Sequence, residues 1–365
     1  MDWLLHYEMS TMIRKIRFAF YLLTIGTAFC FSLGRAADSP ALTDSLRFFG
    51  RWDLRAPDRA ITVNTGSHVL AQFSGSSISA RFDVSLNKPP LPTITWRIDN
   101  GDWQESEIAA TVKLADGLPD GPHTLWLMVR GIDEHQSRWN PPLVGSVTFL
   151  GLDLGSDGKF LPPLAEWDHP KLKMEFLGDS ITEGVLVTAP APGKTSRAWL
   201  TNARDSYAGR TAMLLGASWR QVGFGATGLV RGGSGGAPGA LTTFNSFYAG
   251  CPRDDWQPDV VVVNQGTNER KVPPATYLSD YGNYLTMIRQ AYPKAKIAAL
   301  RPFGGFQADS IKQAVDAAHA AGDNDVYYID TTGWYTGRSL HPDSNASVGL
   351  ATNLAAALKA AGLVP

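Results

Sequence analysis

The hydrophobic period of this chain changes near residue 170, and that change limits the folds open to it. From about Leu46 to Leu150 the apolar residues come in short runs that alternate with polar ones. Ile78, Ala80, Phe82 and Val84 follow this rhythm, as do Ile94, Trp96 and Ile98. Ala60-Ile61-Thr62-Val63 and the run from His123 to Val129 are further strand-like segments, and Asn100-Gly101 between Ile98 and Trp103 is a hairpin signal. Helical periodicity is missing over this stretch, so many short strands predict a β-sandwich at 40–151. Residues 152–170, rich in Gly, Asp and Pro, read as a linker.

After it, strands and helices alternate. Leu172 to Leu177 reads as a strand, Ser206 to Leu215 as a helix and Trp219 to Gly223 as a strand. Val260-Val261-Val262-Val263-Asn264 is a continuous apolar run, the mark of a parallel strand buried on both faces. Helices are expected at about 275–292, 309–321 and 345–361, with strands at 296–300 and 326–329. Residues 171–365 therefore predict a three-layer α/β/α domain around a parallel sheet. The 365 residues leave room for two such domains.

The N-terminus has its own signature. Arg14, Lys15 and Arg17 precede a 16-residue apolar run, Phe18 to Leu33, and Gly34-Arg35-Ala36 offers a cleavage site. The run is short for a membrane span of roughly 20 residues. Residues 1–36 read as a signal peptide, with secretion or a periplasmic location expected and no stable membrane association after cleavage. Cys251 would then be the single cysteine of the mature chain, unable to form an internal disulfide. Lys+Arg total 33 against 34 Asp+Glu, so no basic excess exists to neutralise phosphates, and nucleic acid is excluded as a partner.

Three loops at the expected carboxyl ends of strands hold reactive residue types. Gly178-Asp179-Ser180 places a serine at a tight turn after a strand; alone, that serine could equally be a helix N-cap. In Gly266-Thr267-Asn268, the Asn268 amide can donate to an oxyanion or merely stabilise a turn. His341-Pro342, ahead of the last helix, offers a general base or a surface histidine.

Taken together, Gly-Asp-Ser, then Gly-Thr-Asn after a Val-rich strand, then His-Pro before the last helix resemble the SGNH, or GDSL, hydrolases over about residues 171–365. With the sandwich in front, the chain is similar to carbohydrate esterase family 2. Asp120-Gly121-Pro122-His123-Thr124-Leu125, Arg130 and Glu134 look like that family's jelly-roll domain, and Asp205-Ser206-Tyr207-Ala208 also fits the family. The resemblance implies a serine esterase that removes O-acyl groups, acetyl above all, from an acetylated oligo- or polysaccharide. It implies Ser180 as nucleophile and His341 as its base. The oxyanion hole would combine the Ser180 N–H, Asn268 and a main-chain N–H of the block Gly223 to Gly228, with Gly225 chosen and Ala226 as its neighbour. Two alternatives stand beside this reading: a non-catalytic carbohydrate-binding protein with a remnant hydrolase domain, and an SGNH lipase or thioesterase. No extended apolar lid segment is evident, so short acyl groups are expected.

One position departs from the wider family. An Asp commonly precedes the histidine by three residues; Arg338 stands there, and a cation cannot orient or stabilise an imidazolium. A Ser–His dyad is expected instead, with a main-chain carbonyl holding the ring. Asp330 and Asp343 are spare acids without the expected spacing. Trp199 and Trp334 are candidates for stacking on sugar rings, with core packing as the alternative for each. The histidines show no metal-ligand spacing, and acyl transfer to water requires neither metal nor cofactor.

Overall fold

The structure, a computed structural model, describes residues 41–365; the expected signal segment lies outside them. A short helix α1 (Leu42–Ser45) leads into ten strands: β1 (Leu46–Phe49), β2 (Ala60–Thr62), β3 (His68–Ser74), β4 (Ser77–Asp83), β5 (Thr93–Ile98), β6 (Gln104–Glu107), β7 (Thr111–Asp116), β8 (Pro122–Gly131), β9 (Val147–Asp153) and β10 (Lys159–Phe160). They form two antiparallel sheets, one in the order β1-β3-β8-β5-β6 with β10 added to β3, the other β2-β9-β4-β7. Alternation explains the pairing of the faces. In β4, Ile78, Ala80 and Phe82 point into the shared core while Ser79, Arg81 and Asp83 point outward. The Asn100-Gly101 turn joins β5 to β6 as an antiparallel pair.

The segment expected as a linker is stitched to the sandwich. Asp153 still belongs to β9, β10 pairs with β3, and the Leu161 N–H donates to the Gln72 carbonyl at 2.8 Å. A one-turn helix α2 (Ala165–Asp168) is pinned to β1 by the Arg47–Asp168 ion pair. Backbone pairing of this kind does not depend on apolar side chains, so a Gly/Asp/Pro-rich composition hides it.

The second half holds β11 (Lys173–Gly178), α3 (Ser180–Glu183), α4 (Arg197–Leu200), α5 (Tyr207–Leu214), β12 (Ser218–Gly223) and α6 (Ala240–Thr243). A small hairpin of β13 (Ser246–Tyr248) and β14 (Cys251–Pro252) follows, then β15 (Val260–Asn264), α7 (Pro274–Ala291), β16 (Lys296–Leu300), α8 (Ala308–Ala320), β17 (Val326–Ile329) and α9 (Ser344–Ala360). The parallel sheet runs β12-β11-β15-β16-β17. Val261 and Val263 enter one core layer and Val260 and Val262 the other, which is why that strand carries no polar alternation. The chain leaves β11 toward β12 and then crosses to β15 on the opposite side. That reversal opens a crevice at the carboxyl ends of these three strands.

Sandwich and sheet domain form one compact unit, joined by buried charge. Arg51 pairs with Glu175 at 3.1 Å, and Arg138 with Glu183 at 2.7 Å, all four side chains at or below 1% exposure. Arg130 donates to the carbonyls of Trp199 and Thr201. Gly131 lies so close to α4 that a Cβ would come within 2.2 Å of the Ala198 carbonyl, so only glycine fits there.

Candidate active site

Ser180 follows β11 by two residues. Gly178 lets the turn close, since a Cβ there would sit 2.1 Å from the Thr182 hydroxyl. The N-cap of α3 is Asp179, whose Oδ1 accepts from the Ile181 N–H at 2.9 Å. Ser180 is thus released from capping, and its Oγ lies 2.9 Å from His341 Nε2. Its own N–H, at the first helical position, has no acceptor within the helix.

His341 reaches this point from the loop before α9. Its N–H donates to Ser339 Oγ at 3.2 Å, and the Tyr335 hydroxyl donates to the carbonyls of Ser339 and His341. No carboxylate lies within ion-pair distance of the imidazole among the described residues, and no described carbonyl accepts from its Nδ1. Asp343 instead caps α9 by accepting from the Ala346 N–H, and Asp330 accepts from the Thr332 N–H and hydroxyl. Arg338 is exposed. Burial and, behind it, the nearby Arg197 guanidinium push the His341 pKa below its ordinary value. Both effects favour the neutral ring, the form that can accept a proton.

Asn268 follows β15 on a short 3-10 turn. Its Nδ2 donates to the Thr227 carbonyl at 2.9 Å and to Asp179 Oδ2 at 3.2 Å, so the residue before the serine and the β12 loop fix the amide from two sides. Asp179 is fully buried, and burial raises its pKa to about 7. Glu183, one turn beyond Ser180, is likewise raised to about 7 by burial, with Arg138 opposing the shift.

The β12 loop is tightly packed. Gly223 touches the Glu183 backbone, and a Cβ on Gly225 would overlap Glu134 Oε2 at 2.0 Å. The Gly225 N–H lies near the buried Glu183 carboxylate but makes no hydrogen bond of ordinary geometry to it. The N–H of Ala226 donates to no described group, and its φ of 59° gives that residue a left-handed backbone. The later glycine-rich stretch Gly232 to Gly236 docks on the sandwich: the Arg138 N–H donates to the Gly235 carbonyl at 3.1 Å.

The two candidate tryptophans differ. Trp199 is buried; its indole N–H donates to Glu107 at 3.1 Å, and the Lys194 and Arg130 cations lie over its ring. Its surface is occupied by protein. Trp334 is half-buried against the α9 layer. Sequence reasoning overlooked Arg197 on α4, which sits beside His341 and reaches Glu134 at 3.6 Å. Ser196 caps α4 and could have marked that helix, but nothing in the local sequence reveals which loop the arginine faces. Among the described residues no group of three or more His, Cys, Asp or Glu could hold a metal, and no helix is long and apolar enough to cross a membrane.

This arrangement matches known proteins. Residues 176–350 match the model of the GDSL-like Lipase/Acylhydrolase family. The chain is 29% identical over 344 residues to the cellulase/esterase CelE of Acetivibrio thermocellus, covering 85% of this chain and 39% of that protein. It is 30% identical over 249 residues to an acetylxylan esterase/glucomannan deacetylase of Cellvibrio japonicus, covering 65% of this chain and 63% of that protein. The chain thus spans less than two thirds of either relative. A family two carbohydrate esterase from Clostridium thermocellum, solved in complex with cellohexaose, superimposes with a TM-score of 0.72 at 26% identity, covering 87% of this chain and all of that one. Residues 176–350 therefore resemble the GDSL-like lipase/acylhydrolase family, within a chain that shares the two-part fold of the family two carbohydrate esterases.

Proposed function

We propose that this protein is a secreted serine esterase that removes O-acyl groups, chiefly acetyl, from a carbohydrate. The observation that carries the proposal is the 2.9 Å contact between Ser180 Oγ and His341 Nε2 beside the fixed amide of Asn268. His341 takes the Ser180 proton as Oγ attacks the ester carbonyl. The negative oxygen of the tetrahedral intermediate accepts from the Ser180 N–H, a main-chain N–H of the β12 loop and Asn268 Nδ2, whose hydrogen on Asp179, the longer of its two bonds at 3.2 Å, turns to the oxyanion while the bond to Thr227 holds the amide in place. Gly225 is the choice for that third donor, with Ala226 as its neighbour; neither N–H donates to another described group. As the intermediate collapses, His341 gives its proton to the departing sugar oxygen; the same ring then takes a proton from the water that attacks the acyl-enzyme and returns it to Ser180 Oγ as acetate leaves.

The serine and histidine work as a dyad in this reading, since the spare acids Asp330 and Asp343 are engaged elsewhere. Trp334 is the remaining candidate for stacking on the sugar, whereas Trp199 supports α4 and with it Arg197. The relatives, a cellulase/esterase and an acetylxylan esterase/glucomannan deacetylase, favour an acetylated xylan or glucomannan as substrate. The test is acetate release from a panel of acetylated polysaccharides and acetylated monosaccharides, beside a p-nitrophenyl ester series. Acetate release from glycans, with acetyl esters turned over faster than octanoyl esters, is expected. Activity confined to long-chain esters would favour a lipase, and absence of any turnover a binding protein.

A further inference from the structure

A second cavity, of about 560 Å³, opens at the far end of the parallel sheet. The sandwich contributes Arg97, Trp103 and Trp126 to its walls, the connecting segment Trp167 and Lys171, and the start of β12 Trp219. Ser180 lies beyond the carboxyl ends of β11 and β12, whereas Trp219 is near the amino end of β12. Four residues of strand, about 13 Å, separate Trp219 from Gly223. The cavity shares no residue with the site described above.

Its wall is a continuous row of rings. Phe49 stacks on His68 at 5.1 Å, His68 meets Trp219 at 4.5 Å, Trp219 meets Trp126 at 5.9 Å, and Trp126 meets Trp103 at 5.7 Å. The Arg97 guanidinium sits over this row, 5.0 Å from the Trp103 centroid and 5.2 Å from that of Trp126, and Arg204 lies 4.9 Å from the Trp103 centroid; unlike the buried Trp199, both rings are only half-buried and keep part of their surface open. Other arginines at the junction are committed: Arg47 to Asp168, Arg51 to Glu175, Arg130 to Glu105. Arg97 makes no ion pair or side-chain hydrogen bond among the described residues, and neither does Lys171. The α2 turn that carries Trp167 is fixed by the Arg47–Asp168 pair, so the cavity is built before any ligand arrives.

We propose that this cavity is a second glycan-binding site, which holds a sugar ring of the polysaccharide at a distance from the ester being cleaved. An aromatic wall suits the C–H face of a pyranose, and the free donors of Arg97 and Lys171 suit its hydroxyl, ring or carboxylate oxygens. A purely apolar occupant would cover the guanidinium without giving it an acceptor, which is costly. The proposal rests on the reading of a carbohydrate as substrate. Its consequence is that polymer is retained on the enzyme by contacts that a small ester does not make.

The test uses the full chain with Arg97→Gln and, separately, Trp103→Ala. Affinity electrophoresis through acetylated xylan and glucomannan reads polymer binding, and p-nitrophenyl acetate turnover reads the distant active site. Each variant should lose about fivefold or more in polymer affinity, as expected for removal of one aromatic or cation–π partner, and keep wild-type turnover of the small ester. Unchanged retardation would overturn the proposal. So would a parallel loss of small-ester turnover in both variants, which would mark the cavity as packing, or a dimer that Trp103→Ala dissociates, which would make the occupant a second copy of this chain. If wild-type enzyme releases acetate from glycans while the variants still bind polymer normally, only the second site fails. If the wild type releases none, the carbohydrate reading fails and takes this site with it.

Discussion

The two loops that meet at the candidate site are held in opposite ways. The Ser180 turn is fixed from every side: Asp179 caps α3, Asn268 and Ile181 donate to Asp179, Gly178 and Gly223 admit close backbone contacts, and Arg138 of the sandwich pairs with Glu183. The His341 loop is held by one serine hydroxyl, one tyrosine hydroxyl, the cap of α9 and, where α9 begins, the bonds of Ser344 to the Val187 carbonyl and Arg210, with no carboxylate on the ring. The nucleophile is positioned by buried, interlocked groups, and the base by exposed and replaceable ones. Damage to the first loop should therefore reach the fold as well as the chemistry, except where the reacting atom alone is removed.

Ser180→Ala is that exception and should have the largest effect. It deletes one hydroxyl that caps nothing, so ester hydrolysis should fall by about a thousandfold or more while the melting temperature is unchanged. More than a tenth of wild-type activity would remove Ser180 from the role. Asn268→Ala comes next, with kcat down about 100- to 1,000-fold and KM nearly constant, because an oxyanion contact strengthens only in the transition state. A pure KM effect would make it a substrate-binding residue.

Arg138→Met tests how far the sandwich supports the nucleophile turn. It strands Glu183 in a fully buried position, and leaving one buried partner unpaired costs about 3–5 kcal/mol. The Glu183 pKa is already about 7 in the folded protein, above its unfolded value. Such a group favours folding below the unfolded carboxylate range and loses that contribution as pH rises through about 7. Chemical denaturation should therefore show a greater deficit for the variant at pH 8 than at pH 5. An equal deficit at both would mean that Arg138 acts by packing alone. On the histidine side the expected effects are small. Asp330→Asn and Asp343→Asn should each keep kcat within a few-fold, since Asn still accepts at an N-cap or turn. A thousandfold loss in either would identify a triad acid.

The parallel sheet was legible because buried strands and amphipathic helices leave long, regular patterns, and Val260 to Asn264 appears within its expected bounds. Ser180, Asn268 and His341 were legible as residues after strands or before a helix, since topology alone brings such loops together. Other features were not legible. The linker at 152–170 is a strand and turn held by backbone bonds and one ion pair, none of which depends on hydrophobic period. Arg197 faces His341 through the packing of α4 on the sandwich, a contact between segments whose separation in sequence carries no signal. Trp199 looked available as a loop aromatic and is covered by Arg130 and Lys194, because an indole gives no sign of its neighbours until the domains dock.

The central claim, that the base is a histidine without a carboxylate, is tested most directly by the titration of His341 in the intact protein, followed by NMR of its ring. Burial and the Arg197 cation should place its pKa below the usual value of about 6.5, and Arg197→Gln should move it upward by removing a like charge. The acid limb of kcat/KM should move with it. A pKa above 7 that falls on Asp330→Asn or Asp343→Asn would show a carboxylate at the imidazole and contradict the dyad.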